Sequence, residues 1–131
     1  MMRHHIDVSS VLRQSVSQTY SHLVTRPTGA AVREYIERQL TKLNGAPSDD
    51  SDVATDVAVI DFTHVGMMDF SCADEIVAKL VLQHLGHPRQ FVFSGLTESH
   101  IEAIDAVLER HGMSLVSHEA DARTYVADIT H

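Results

Sequence analysis

The sequence predicts an α/β sandwich, a mixed four-stranded sheet with helices, preceded by a helical N-terminal segment. Three observations carry this. VAVIDF (57–62) and FVFSGL (91–96) are apolar at successive positions, as central strands covered on both faces are. A helical pattern lies between them, so the two strands are expected to be parallel and joined by a crossover. Two stretches with apolar residues at spacings of three and four come before the first of these strands.

In chain order, Val8, Val11, Leu12, Val16, Tyr20 and Leu23 place a helix over 8–24, with Asp7 or Ser9 as its cap. TRPTG (25–29) is expected to break it, since proline disfavours a helical residue before it and glycine permits a turn. A second helix is expected over 31–43 through Val32, Tyr35, Ile36, Leu40 and Leu43, ending at Asn44-Gly45. GAPSDDSD (45–52) is an acidic turn-rich loop. ESHIEAIDAVLERHG (98–112) gives a further helix with Ile101, Ile104 and Leu108 inward. Ser99 and Glu102 form its capping box, and Gly112 its exit. MSLV (113–116) and TYVADI (124–129) complete the sheet. The whole of 1–131 reads as one domain: a helical segment over 1–44, an acidic loop over 45–55, and an α/β core over 56–131.

The helix after the first central strand, 72–85, has two apolar faces. Ala73, Ile76, Val77, Leu80 and His84 share one. Ala78, Leu82 and Leu85 lie roughly opposite, with Val81 between the two groups. Glu75, Lys79 and Gln83 form the polar stripe, with a favourable Glu75–Lys79 pair. The second apolar face needs a cover, which either the N-terminal helices or a partner protein supplies.

Composition narrows the function. With 18 acidic against 10 basic residues the net charge is −8, which repels phosphate backbones and speaks against nucleic-acid binding. No apolar run reaches the roughly 18 residues of a membrane span, and no secretory signal is visible, so no membrane role is expected. A single cysteine agrees with a reducing cytoplasm. The ten histidines show no metal-ligand spacing, so neither metal nor cofactor is expected.

VIDFTHVGMMDFSCADEIVAKL (59–80) resembles the strand, loop and helix of the STAS family, the sulphate-transporter and anti-sigma-factor-antagonist domains. FVFSGLTESHIEAIDAVLERHGMSLV (91–116) is similar to that family's next strand, helix and strand. TRPTGAAVREYI together with FSCADEIVAKL resembles a STAS-like branch of bacterial regulators with an extra helical N-terminus. The resemblance implies a non-enzymatic cytoplasmic switch that binds an anti-sigma factor or a serine kinase of the histidine-kinase ATPase type. In such proteins a serine or threonine directly after an aspartate takes a phosphate that abolishes binding. Here Phe70 follows Asp69, and the nearest hydroxyl is Ser71.

The candidate partner-binding or switch residues are therefore Thr63, His64, Asp69, Phe70, Ser71 and Cys72. Ser71 sits where a helix N-terminus favours a phosphate, and equally where an N-cap with Asp74 belongs. Asp69 fits either a cap or an acid facing a partner. Cys72 reads as a reactive first-turn thiol or as a small buried hydrophobe, the commoner case. His64 suits a partner contact or a solvated loop. Two function classes stand: a protein-interaction module docking through 63–72 and the following helix, and a small-ligand or nucleotide sensor using Thr63, Asp69 and Ser94. A homodimer is compatible with both. No paired acid–base or nucleophile–base arrangement suggests an enzyme.

Overall fold

A computed structural model describes residues 3–15, 23–43, 57–83, 90–117 and 124–129. Five strands form one mixed sheet: β1 (Arg3–Asp7), β2 (Val57–Asp61), β3 (Gln90–Ser94), β4 (Met113–Ser117) and β5 (Thr124–Ile129). Their order is β1-β2-β3-β5-β4. β2 and β3 are parallel neighbours in the register Val57↔Gln90 to Asp61↔Ser94, as the crossover predicts. β5 runs antiparallel to both β3 and β4.

The fifth strand corrects the four-strand expectation and the wholly helical N-terminus. RHHID pairs in parallel with β2, Arg3 against Val57 through Asp7 against Asp61. It has one apolar residue, Ile6, which is buried; His5 on the other face is exposed. An edge strand needs so little apolar surface that its alternation is too short to read.

Four helices follow the chain: α1 (Val8–Ser15), α2 (Arg26–Leu43), α3 and α4 (Glu98–Glu109). Helix α3 starts at Phe70–Ala73, widens into a π-turn at Asp74–Ala78 and closes as α-helix at Lys79–Gln83. Asp7 caps α1, its Oδ1 accepting from the Ser9 backbone N–H at 3.0 Å. Leu23 is not the end of that first helix, because it forms a parallel bridge with Met68; 16–22 lie outside the described residues.

TRPTG is a helix start, not a break. Thr25 Oγ1 accepts from the Thr28 N–H at 3.4 Å, and the Gly29 N–H donates to the Thr25 carbonyl at 3.0 Å. Pro27 costs nothing there, since a first-turn N–H has no intrahelical acceptor. Gly29 is needed for another reason: a Cβ there would stand 3.0 Å from Cys72 Cα and 3.1 Å from Glu75 Cβ, so α2 and α3 touch at this point.

One face of the sheet, through Ile6, Ala58, Ile60, Phe91 and Phe93, shares a core with all four helices. The other face holds a smaller cluster of Val57, Val59 and Val92 with Val126, to which no described helix contributes. Strands β2 and β3 are thus apolar on both faces, while the described helices gather on one. α1 packs on α2, α2 on α3 and α3 on α4. N-terminal helix α2 therefore does lie against α3, and Leu82 is half-buried at the core margin; His84 and Leu85 lie outside the described residues, as do Asn44-Gly45 and the loop 45–52.

In α4, Ile104 and Leu108 point inward as expected, but Ile101 is only half-buried and Ala103 and Val107 take the remaining core positions. Thr97 caps it in a capping box with His100, replacing the expected Ser99–Glu102 pair. Gly112 leaves the helix at φ 72. The Leu115 N–H on β4 is taken by Asp105 Oδ1 of α4 at 2.9 Å, which ties that edge strand to the helix layer.

Gly95, after β3, has φ 70, and a Cβ there would fall 2.3 Å from Thr63 Oγ1 and 2.6 Å from the Thr63 backbone nitrogen. Gly95→Ala is expected to cost about 1–3 kcal/mol in urea denaturation. A loss below about 0.5 kcal/mol, the range of a bland surface change, would contradict this close approach.

Candidate functional site

Loop 62–69 leaves the end of β2 and delivers the chain to α3. Phe62, Val65 and Met68 are buried and plug it into the core, while Thr63, His64, Gly66 and Met67 face outward. The turn is closed by the Val65 N–H donating to the Phe62 carbonyl at 3.0 Å. Asp61, at the strand end, accepts from the Thr63 N–H at 2.9 Å and from the Thr63 hydroxyl, and meets His5 Nε2 at 3.0 Å. Burial pushes the Asp61 carboxyl up, but the Thr63 hydrogen bonds and His5 outweigh it, so it lies below its ordinary value.

The loop is gripped from two sides. On one, Leu23 acts as a single strand residue: its N–H donates to the Met67 carbonyl at 2.7 Å, and its carbonyl accepts from the Asp69 N–H at 2.9 Å. On the other, the fully buried His100 spans from α4. Its Nδ1 accepts from the Thr97 N–H at 3.2 Å, which leaves Nε2 to donate to the Gly66 carbonyl at 2.6 Å. Its ring lies 6.0 Å from that of Phe62.

Asp69, not Ser71, caps α3. Its Oδ1 accepts from the Cys72 N–H at 2.9 Å, and its backbone is extended, with ψ 175. The Ser71 hydroxyl donates to the same Oδ1 at 2.9 Å and so braces the cap. Cap and hydroxyl are two residues apart, and only the backbone path decided which of the two lay at the non-helical position. Nor does Asp74 complete a capping box. It pairs with Arg26 Nη1 at 3.0 Å and lies 4.0 Å from His111 Nε2. Cys72 is fully buried, its thiol donating to the Thr25 carbonyl at 3.0 Å. Burial and the Asp69 charge push that thiol up to about 12, which removes thiolate reactivity at neutral pH.

Glu75 is the residue that the sequence pattern misplaced. The expected polar stripe puts it in solvent, yet its side chain is only 5% exposed. The π-turn inserts a residue into the helix and rotates the wheel at this point. Glu75 Oε2 accepts from Arg26 Nη1 at 2.7 Å and Lys79 Nζ at 3.0 Å, and Oε1 from Arg33 Nη2 at 3.4 Å. Arg33 also spans Glu37 at 3.2 Å, and its buried Nε has no hydrogen-bond partner among the described residues. Burial pushes the Glu75 carboxyl up; Arg26, Lys79 and Arg33 together overcome it and hold the group below its ordinary value. The Glu75–Lys79 pair was legible from sequence, whereas the two arginines come from another helix and were not.

Of the candidate residues, Asp69, Ser71 and Cys72 come together at the start of α3, where Phe70 is exposed beside them. Thr63 is instead joined to Asp61 at the end of β2, and Ser94 receives the Phe62 N–H on its carbonyl at 2.9 Å. Thr63 lies close against Gly95 between those strand ends. His64 is exposed. Among the described residues, no group of three His, Cys, Asp or Glu is placed to hold a metal ion. No described helix is long and apolar enough to cross a membrane. Comparisons with protein-family models, with curated proteins and with solved structures found no match to this chain.

Asp69→Ala is expected to cost about 0.5–2 kcal/mol of unfolding free energy, and Ser71→Ala less, reversing the order a Ser71 cap requires. Glu75→Ala removes the acceptor shared by Arg26, Arg33 and Lys79, leaves Arg33 with Glu37 alone, and is expected to cost about 1–3 kcal/mol. Because the Glu75 and Asp61 carboxyls titrate below their ordinary values of 4.5 and 3.8 in the fold, their contribution is complete above those values. It is lost as pH falls through the lower, folded-state values. Melting temperature against pH should therefore drop steeply below about pH 4.5, and less steeply in Glu75→Gln.

Proposed function

We propose that this chain is a non-enzymatic regulatory module of the STAS-like kind, which docks a protein partner through loop 63–69 and the start of α3. One observation supports it above the others. Met67 and Phe70 are 60% and 57% exposed, three residues apart, on a backbone fixed by Leu23, His100 and the Asp69 cap. Large apolar side chains on an already ordered backbone lose little entropy on binding, and methionine and aromatic residues are enriched at interfaces. They stand at the carboxyl end of parallel strands, where α/β folds place recognition.

The polar groups around them serve the fold. Asp69 is a cap, His100 a tether and Asp61 a turn anchor, which fits a docking surface better than a reaction centre. A cytoplasmic anti-sigma factor or serine kinase of the histidine-kinase ATPase type is the partner that the family resemblance suggests. A phosphate on Ser71 would set negative charge against the carboxylate that caps α3, 2.9 Å from its hydroxyl. Docking is accordingly read as independent of that modification.

The test is retention of partners from the native host by purified chain. Met67→Asp and Phe70→Asp are expected to abolish it with unfolding free energy changed by no more than about 0.5 kcal/mol, since both side chains are exposed. A partner that both variants still retain would remove this loop from the interface.

A further inference from the structure

We infer that the Met67–Phe70 surface takes a partner segment with an apolar centre and a lysine- or arginine-rich rim; this rests on the docking reading above. The charges around the two side chains carry it. Asp69 lies between them in the chain and is half-buried. Asp74 follows one turn along α3 with 23% of its side chain exposed. Exposed Glu98 opens α4, which His100 joins to Gly66, next to Met67.

Three described cations nearby are already committed, and His111 lies 4.0 Å from Asp74. Arg26 spans Asp74 and Glu75 at 3.0 and 2.7 Å, while Arg33 and Lys79 turn toward Glu75. His64 adds positive charge only when protonated. Over the whole chain the charge is −8. A basic rim would therefore meet Asp69 and Glu98, which pair with no cation among the described residues, with a gain in association rate and selectivity. An acidic protein surface, an anionic lipid headgroup and a second copy of this chain all bring like charge to the same place.

The experiment places the photo-crosslinking residue p-benzoylphenylalanine at position 67, 70 or 116 of the full chain, Val116 being the exposed apolar residue on far-edge strand β4. Irradiation is done in native-host extract at about 50 and about 500 mM salt, conditions that bracket strong and weak screening. Captured segments are identified by mass spectrometry. The expected result is a net-positive segment at positions 67 and 70, captured several-fold less at high salt, and lost from position 70 when Met67→Asp is added. A net-negative segment, a lipid, a second copy of the chain, or salt-insensitive capture at 67 and 70 overturns the inference. Capture at 116 alone also overturns it while leaving a protein-interaction module standing elsewhere on the surface. No capture at any of the three positions, with all variants melting as wild type does, overturns both.

Discussion

The carboxylate of Glu75 is the constraint around which the helical layer is arranged. A charge with 5% of its side chain exposed has lost nearly all its water, and such a group is tolerated only when paired. Two of its partners, Arg26 and Arg33, come from α2 and the third, Lys79, from α3 itself. Alternative seatings of α2 on α3 would leave the buried Glu75 with Lys79 alone, so the two arginine pairs favour this docking of the N-terminal helix. The contact is close because Gly29 lets the α2 backbone approach Cys72 and Glu75. The π-turn over Asp74–Ala78 aims Glu75 inward, where a regular helix would leave it on the outer stripe.

From that seating the geometry of the loop follows. Once α2 is fixed, the residues just before it, Leu23 to Thr25, run beside the start of α3. Leu23 pairs with the Met67 and Asp69 backbone groups, and the Thr25 carbonyl takes the Cys72 thiol proton. His100 supplies the opposing tie through Gly66. Buried polar groups satisfied in this way rigidify what they hold. The consequence for binding is that Met67 and Phe70 are displayed from a backbone whose ordering has taken place on folding.

Much of the frame was legible in one dimension. Strands β2 and β3 announce themselves by apolar runs, and their parallel pairing follows from the helix between them. Asp7 reads as a cap because a short acid precedes an apolar helical stripe, and Gly112 reads as an exit. Within the candidate site, the acid, hydroxyl and thiol of Asp69, Ser71 and Cys72 were recognisable as a helix start, but their roles were not. Capping depends on which residue keeps an extended backbone, and that choice was made by the Leu23 bridge on the Asp69 N–H. Likewise Pro27 and Gly29 carry the composition of a turn while standing in the first turn of α2.

By itself the sequence determined the features that depend on local periodicity and net composition: a mixed α/β sheet, the place of its central strands, and an acidic chain that repels phosphate. Long-range pairing lay beyond it. Strand β1 exists because β2 offers it an edge, and its five residues hold too little apolar surface to signal a strand alone. Glu75 is buried because cations 49 and 42 residues away in the chain meet it, and His100 is a tether because Gly66 lies opposite. Tertiary structure alone decided these, since the free energy of a buried polar group is set by the partners brought to it and not by its neighbours in sequence.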